Sequence, residues 1–244
     1  MDAGKLRLAM WSGPRNISTA LMRAWGNRRD TVVCDEPLYA YYLHASGKPH
    51  PGAAEIIAAG TTDWREAVRG LTGAIPDGKA IFYQKHMTHH LLPAISREWL
   101  GEVTSCFLIR HPREMLTSYV KIVESPTLAD TGFPQQTEIF DWVRRRLGVT
   151  APVIDSADVL DDPRRLLNLL CEALGVPFDE AMLSWPSGPR PTDGVWARHW
   201  YGEVERSTGF RPYRPKSDPV PAALGDLYEE CLAHYELLYA HRLR

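Results

Sequence analysis

Leu6-Arg-Leu-Ala-Met-Trp-Ser-Gly-Pro-Arg-Asn-Ile-Ser-Thr-Ala-Leu-Met-Arg-Ala-Trp25 reads as a buried strand, a tight turn and a helix. Leu6, Leu8 and Met10 alternate at period two, which suits a strand. Ser12-Gly13-Pro14 carries turn chemistry. From Ile17 the apolar residues fall at 17, 21, 22 and 25, one face of a 3.6-residue helix. A strand, a turn and a helix in succession aim main-chain N–H groups and the positive end of a helix dipole at one point, which favours an anion. Arg15 adds a cation there, and Ser18 and Thr19 add hydroxyls. The nucleotide-triphosphate loop G-x-x-x-x-G-K-[ST] is not matched, because Ser18 follows Gly13 by five residues with neither the second Gly nor the Lys.

Outward from this stretch, strands and helices alternate. Thr31 to Cys34 is a second buried strand that opens into Asp35-Glu36-Pro37. Pro37 disfavours helix at Glu36 and leaves two carboxylates at a strand end, where α/β folds place ligands. Residues 44–60, with their Pro, Gly and His, are expected to form a loop or lid. Residues 63–73 form a short amphipathic helix with Asp63 as its N-cap. A third strand over 80–83 runs into Gln84-Lys85-His86-Met87-Thr88-His89-His90, and a helix is expected over 91–100 with Pro93 in its first turn.

Residues 105–109 form a fourth strand ending in Arg110, after which Pro112 starts a helix. Val153-Ile154 is a fifth strand, followed by a Pro-started helix that Gly175 closes. Residues 185–221 are rich in Pro, Gly and Trp and read as a long ordered loop. An apolar stripe from Leu224 to Tyr239 closes the chain as a core helix. This alternation implies right-handed crossovers and an α/β three-layer sandwich with a mostly parallel sheet of about five strands. The expected organisation is one domain over 1–244, with an α/β core over 1–175 and a C-terminal loop and helix over 176–244.

The chain of 244 residues is 44% hydrophobic and 24% charged with a net charge of −2, which argues against a general nucleic-acid or membrane-surface binder. No run approaches the roughly 18 apolar residues of a membrane span. The first residues lack a signal-peptide layout. Cys34, Cys106, Cys171 and Cys231 are widely spaced, with no Cys-x-x-Cys pair and no His at metal-finger spacing. They read as reduced core thiols, which implies a cytoplasmic location and no metal centre.

Pro14-Arg-Asn-Ile-Ser-Thr-Ala-Leu21 resembles the Pro-[Lys/Arg]-Ser-Gly-[Ser/Thr]-Thr loop of the sulfotransferase superfamily. Phe107-Leu-Ile-Arg-His-Pro-Arg-Glu-Met-Leu-Thr-Ser-Tyr119 resembles that family's second signature. The resemblance implies a P-loop NTPase-like fold and 3′-phosphoadenosine 5′-phosphosulfate (PAPS) as cosubstrate, without a metal. Carried over, Pro14, Arg15, Asn16, Ile17, Ser18 and Thr19 would form the 5′-phosphosulfate loop. Arg110 and Ser118 would hold the 3′-phosphate. Ile17 stands where the family usually has Gly, and its helical register turns it toward the core. The family's C-terminal Arg-Lys-Gly is absent, and Ser207-Thr-Gly-Phe-Arg211, with Lys216, is the nearest substitute.

Sulfuryl transfer needs a base near the acceptor and cations facing the leaving phosphate. Arg15 and Lys85 are the candidate cations. The family's Lys-x-His segment would place the base at Met87, so Glu36, His89 and His86 are the candidate bases. The implied reaction moves a sulfuryl group to a hydroxyl or amine of a small-molecule or sugar acceptor, in a chain that acts alone or as a homodimer. Two alternatives remain: a non-catalytic nucleotide binder, and a P-loop phosphotransferase in which Asp155 would hold magnesium.

Overall fold

The computed structural model describes residues 4–215 and 218–244. Five strands form its central sheet: β1 (Leu6–Ser12), β2 (Thr31–Asp35), β3 (Ile81–Met87), β4 (Thr104–Ile109) and β5 (Val153–Asp155). Their order is β2-β3-β1-β4-β5, and every pair is parallel. Parallel neighbours need long crossovers, and helices supply them. Helix α1 (Ser18–Gly26) joins β1 to β2, while α2 (Tyr39–Ser46), α3 (Ala53–Ala59) and α4 (Trp64–Thr72) lie between β2 and β3. Between β4 and β5 come α5 (Pro112–Tyr119), α6 (Leu128–Thr131) and α7 (Phe133–Leu147). Helices α8 (Ser156–Asp161), α9 (Pro163–Ala173), α10 (Ala197–Trp200), α11 (Gly202–Glu205) and α12 (Gly225–Tyr239) complete the chain.

Successive strand side chains point to opposite faces, so each central strand feeds two cores. Leu8, Met10, Tyr83 and Leu108 pack with Leu21, Met22 and Trp25 of α1 and with Leu166 and Leu170 of α9. On the other face, Ala9, Trp11, Phe82 and Phe107 pack with Leu71 of α4, Leu116 of α5, Phe140 of α7 and Leu238 of α12. These are the three layers of the sandwich. Local signals fix several helix starts: the Asp63 side chain accepts from the Arg65 N–H at 2.9 Å, and Pro112 occupies the first turn of α5.

Three expectations change. Residues 44–60 are mostly helical, with α2 reaching Ser46 and α3 burying Ile56, so only a short span between them is irregular. Residues 91–100 form no α-helix; 3₁₀ turns occupy Thr88–His90 and Glu98–Glu102. The Arg97 guanidinium takes the carbonyls of Leu91, Leu92 and Ile95, and the Leu92 carbonyl also accepts a turn bond from the Ile95 N–H at 3.0 Å. Leu91, Ile95, Trp99 and Leu100 still reach the core, as their spacing implies. Finally, β3 runs on to Met87, so Lys85 and His86 lie within a strand and face opposite sides of the sheet.

Strand order reverses direction at β1, with β3 on one side and β4 on the other. Ligands of open α/β sheets settle at such a point, outside the carboxyl ends of the strands. Gln136 of α7, fully buried, ties those two ends together by donating to the carbonyls of Trp11 (3.2 Å) and Leu108 (3.1 Å). Gly13 lets the loop after β1 close down, because a Cβ there would lie 2.7 Å from the Thr131 carbonyl oxygen.

Candidate functional site

The loop after β1 is pinned from below. The Asn16 amide donates to the Leu108 carbonyl at 3.1 Å, and its carbonyl oxygen accepts from the Ile17 N–H at 2.8 Å. Arg15 takes a left-handed conformation, φ 55°. Ile17 has φ −88°, so the position resembling the family's glycine makes no demand for one. Its side chain packs partly against the α1 core, as its register implies, and partly borders a cavity. Ser18 is buried at the start of α1, and Thr19 follows it.

The second motif meets the first at Arg15. The Arg110 guanidinium donates to the Arg15 carbonyl at 2.6 Å, while the Ser118 hydroxyl oxygen accepts from Arg15 Nε at 2.9 Å. Arg110 is held on its other edge by Glu114 (3.1 and 3.0 Å), which in turn accepts from the Tyr213 hydroxyl at 2.6 Å. Partial burial and the nearby Arg110 charge both pull the Arg15 pKa down. Ser118 itself borders neither cavity described below, so its direct position is beside Arg15. Two helical turns separate it from the strand end, which carries it past the mouth of the helix.

Two cavities flank this junction. The larger, about 560 Å³, is bordered by five arginines (Arg15, Arg110, Arg198, Arg206 and Arg211) against one carboxylate, Glu203. Glu203 pairs with Arg206, and with Arg211 at 2.8 Å. The other cavity, about 420 Å³, is bordered by Pro14, Ser18, Glu36, Lys85, His89 and His90. Arg15, Asn16, Thr19 and Trp200 border both. Lys216 lies outside the described residues.

At the floor of the smaller cavity, Lys85 is buried between carboxylates. Its ammonium donates to Asp35 at 2.9 Å, to Glu36 and to the Tyr201 hydroxyl at 2.9 Å. Burial works against this charge, but Asp35 and Glu36 outweigh it and hold the Lys85 pKa well above its ordinary value. Tyr201 in turn donates to Asp35 at 2.7 Å and accepts from Trp196 Nε1 at 3.2 Å. One ammonium cannot neutralise two carboxylates, and burial together with Asp35 raises the Glu36 pKa against the pull of Lys85. Glu36 also has a left-handed backbone, φ 42°. Of the three described non-glycine residues with positive φ, two are thus Arg15 and Glu36, at the ends of β1 and β2. Such strain persists where surrounding structure enforces it, and it gathers at functional sites.

The three histidines separate. His86 borders neither cavity; it stacks on Trp11 (ring centroids 4.3 Å apart) on the far face of β3, and burial followed by Lys85 pushes its pKa down to about 3. Strand alternation after Lys85 accounts for this, turning His86 away from both cavities. His89 and His90 do border the smaller cavity. His90 stacks between Tyr39 (4.5 Å) and Tyr42 (4.7 Å) and lies 3.9 Å from Glu36. Burial, then His50 and Lys48, push the His89 pKa to about 3.

Asp155 is also away from both cavities. It caps α8 through the Ala157 N–H (2.7 Å) and accepts from the Tyr235 hydroxyl at 2.8 Å, so the acid required for the magnesium alternative is committed to structure. Among the described residues no group of three or more His, Cys, Asp or Glu is placed to hold a metal ion. The aromatic-rich segments suggest Tyr201 as a pocket-lining residue, but nothing in the sequence marks it or Asp35 as a hydrogen-bond partner of Lys85, or marks the Arg23–Asp193 pair. The last is buried (2.5 and 2.7 Å) and fastens the segment before α10 to α1. A lone Asp and Tyr in a Pro- and Gly-rich stretch carry no local signal of such distant partners.

Comparison with known proteins gives three findings. A family model described as "Sulfotransferase domain" matches residues 6–242. Two Arabidopsis thaliana proteins, branched-chain-amino-acid aminotransferase-like proteins 2 and 1, are 33% and 34% identical over 231 residues, 95% of this chain. The chain spans only 41% of their length. Among solved structures, the sulfotransferase domain from the Synechococcus PCC 7002 olefin synthase superposes with a TM-score of 0.57 at 17% identity, covering 100% of this chain and 98% of the other. The sulfotransferase from Alicyclobacillus acidocaldarius gives 0.57 at 12% identity, over 98% and 97%. The sulfotransferase domain from the curacin biosynthetic pathway gives 0.55 at 14% identity, over 98% and 99%.

Proposed function

Because this chain belongs to the sulfotransferase domain family, we propose that it transfers a sulfuryl group from PAPS to a hydroxyl or amine of a small acceptor. The observation that carries this reading is the convergence of the two motif arginines on the partition between two cavities. Five arginines border the larger cavity; Arg110 pairs with Glu114, Arg198 with Glu55, and Arg206 and Arg211 share Glu203, so the cluster keeps a net positive charge that suits an anionic ligand. The donor supplies an activated S–O bond to phosphate. Arg110 and Arg211 would hold its 3′-phosphate, and Arg15, Asn16, Ser18 and Thr19 would hold its 5′ end. Ser118 would steer Arg15 rather than touch the donor.

Glu36 is the base of this proposal. Its raised pKa gives it more proton affinity than an ordinary carboxylate, whereas His89 is too weakly basic to hold a proton near neutral pH. The acceptor O–H gives its proton to the Glu36 carboxylate as the new O–S bond forms. The S–O bond to phosphate breaks and leaves 3′-phosphoadenosine 5′-phosphate (PAP). Arg15 offsets charge at that oxygen, while Lys85, whose three N–H groups go to Asp35, Glu36 and Tyr201, positions the Glu36 carboxylate.

A thermal-shift comparison of PAP, ATP–magnesium and buffer tests the donor assignment, since a ligand that binds only the folded state raises the melting temperature. PAP raises it and ATP–magnesium does not. The reverse order would mark a phosphotransferase, and no shift with either would end the nucleotide reading.

A further inference from the structure

Asp35 and Glu36 are consecutive at the end of β2, where regular strand alternation would send their side chains to opposite faces of the sheet. They meet instead at one ammonium. Asp35 lies opposite Lys85 in the β2–β3 register, and the Glu36 N–H donates to the Lys85 carbonyl at 2.9 Å. The left-handed backbone at Glu36 breaks the alternation, so its carboxylate reaches the same ammonium as Asp35.

The two carboxylates are held differently. Asp35 accepts from Lys85 at 2.9 Å, from the Tyr201 hydroxyl at 2.7 Å and from the Gly194 N–H at 3.2 Å. Its side chain is 2% exposed and borders neither cavity. Among the described residues the Glu36 side chain accepts one hydrogen bond, from Lys85, and it borders the smaller cavity.

We propose that Asp35 is a positioning residue for the transfer: held by Tyr201 and Gly194, it keeps part of the Lys85 charge to itself and leaves the Glu36 carboxylate able to take the acceptor proton. This rests on Glu36 as the base. An ammonium devoted to Glu36 alone would hold that carboxylate ionised and make it a poor proton acceptor. Two carboxylates and one ammonium leave one net negative charge in a buried trio, and a proton at Glu36 brings it to zero. The Lys85–Asp35 pair survives that step, so no buried charge is stranded.

The other groups facing Glu36 leave this balance intact. His90, in the turn after β3, lies 3.9 Å away, and burial holds its ring neutral by pushing its pKa well down. Tyr39 of α2 and Tyr201 after α10 keep their protons, since burial raises both. Burial, opposed by Lys85 and aided by Asp35, raises the Glu36 pKa, in keeping with the arrangement.

Carbon-13 NMR of the whole chain, labelled at the Asp and Glu carboxyl carbons, tests the proposal. The Glu36 signal is the one that Glu36→Gln removes, and Asp35 is assigned through the backbone. In the wild type Glu36 should titrate above the ordinary carboxylate range. The Asp35 carbon should inflect at the same pH, because the ammonium turns wholly to Asp35 once Glu36 is protonated. Asp35→Asn should move the Glu36 midpoint down by about 1–3 pH units, the usual effect of an undivided opposite charge. PAP affinity, read by calorimetry, should stay as in the wild type.

A purely structural Asp35 would lower the melting temperature and leave the Glu36 midpoint in place. That result, an upward shift, or a wild-type Asp35 carbon that stays flat through the Glu36 titration would overturn the inference. The last readout decides it even if Asp35→Asn does not fold. Turnover is recorded separately, with PAPS and 4-nitrophenol as probe acceptor. Wild-type turnover by Glu36→Gln removes the base assignment and this inference with it. Loss of turnover in Glu36→Gln with an unmoved midpoint in Asp35→Asn rejects the role of Asp35 alone.

Discussion

Arg110 donates a 2.6 Å hydrogen bond to the main-chain carbonyl of Arg15, 95 positions earlier in the chain. Through that bond the β4 motif holds the loop after β1 in its left-handed turn at Arg15, so one residue shapes the site as well as charging it. Arg110→Ala should weaken PAP binding about ten- to a hundredfold, since hydrogen bonds to charged groups contribute about 1.5–3 kcal/mol each. AMP, which lacks the 3′-phosphate, should lose less. Calorimetric titration of both nucleotides checks this, and equal losses would count against a 3′-phosphate role.

Glu36→Gln should lower kcat by about 10²–10⁴-fold, the usual span for a general base, with PAP affinity little changed. The base acts deprotonated, and burial raises its pKa. The acid limb of the kcat profile should therefore lie above the ordinary carboxylate range, with activity falling as pH drops through it. The Gln variant should have no such limb. A limb at an ordinary carboxylate pKa would remove Glu36 from the role.

Asp155 gives a pH dependence of stability with the opposite sign from that of an ion-paired acid. Burial raises its folded pKa to about 6, from an ordinary value near 3.9. The unfolded chain thus loses this proton first. Stability from this group is fully present below the unfolded value and is lost as pH rises to the folded one, a difference of about 3 kcal/mol. Asp155→Asn retains a side-chain acceptor for the Ala157 N–H. Relative to wild type, its stability should improve by up to that amount between pH 4 and pH 7. Urea unfolding at both pH values reads the change; a flat difference would contradict the raised pKa.

Arg23 and Asp193 are both nearly inaccessible, with side chains 3% and 4% exposed. Removing one partner of such a pair strands a buried charge and costs about 3–5 kcal/mol. Arg23→Ala should lower stability by that much. The double variant Arg23→Met, Asp193→Leu should recover a large part of the loss, and a denaturant series on all three proteins decides it.

Gly13→Ala should destabilise by about 1–3 kcal/mol, the cost of forcing backbone apart in a packed region, because the new Cβ would lie 2.7 Å from the Thr131 carbonyl. A melting temperature equal to wild type would show that the Thr131 segment moves aside freely.

Local patterns made the sheet legible. Leu6, Leu8 and Met10 alternate, Pro112 and Asp63 announce helices, and the Arg15 and Arg110 motifs mark the strand ends. Helical spacing accounts for Ile17 in part, since its side chain packs partly against the α1 core and partly borders the arginine-rich cavity. The rest depends on side-chain hydrogen bonds and tertiary partners that local patterns do not encode. In residues 91–100, which form no α-helix, Arg97 donates to main-chain carbonyls, a contact that propensity does not encode. The face taken by His86 depends on how far β3 extends, and one strand register separates it from Lys85. The family resemblance implies Ser118 as a 3′-phosphate ligand, and only the fold shows its hydroxyl accepting from Arg15. Tyr201 and Asp193 join the site only because residues 190–205 return across α1 and the end of β2.

That returning segment is bolted at two places, by Asp193 to Arg23 and by Tyr201 to Asp35. Trp200, which borders both hollows, sits next to the second of these ties, so any outward shift of this segment must first break the Tyr201–Asp35 bond.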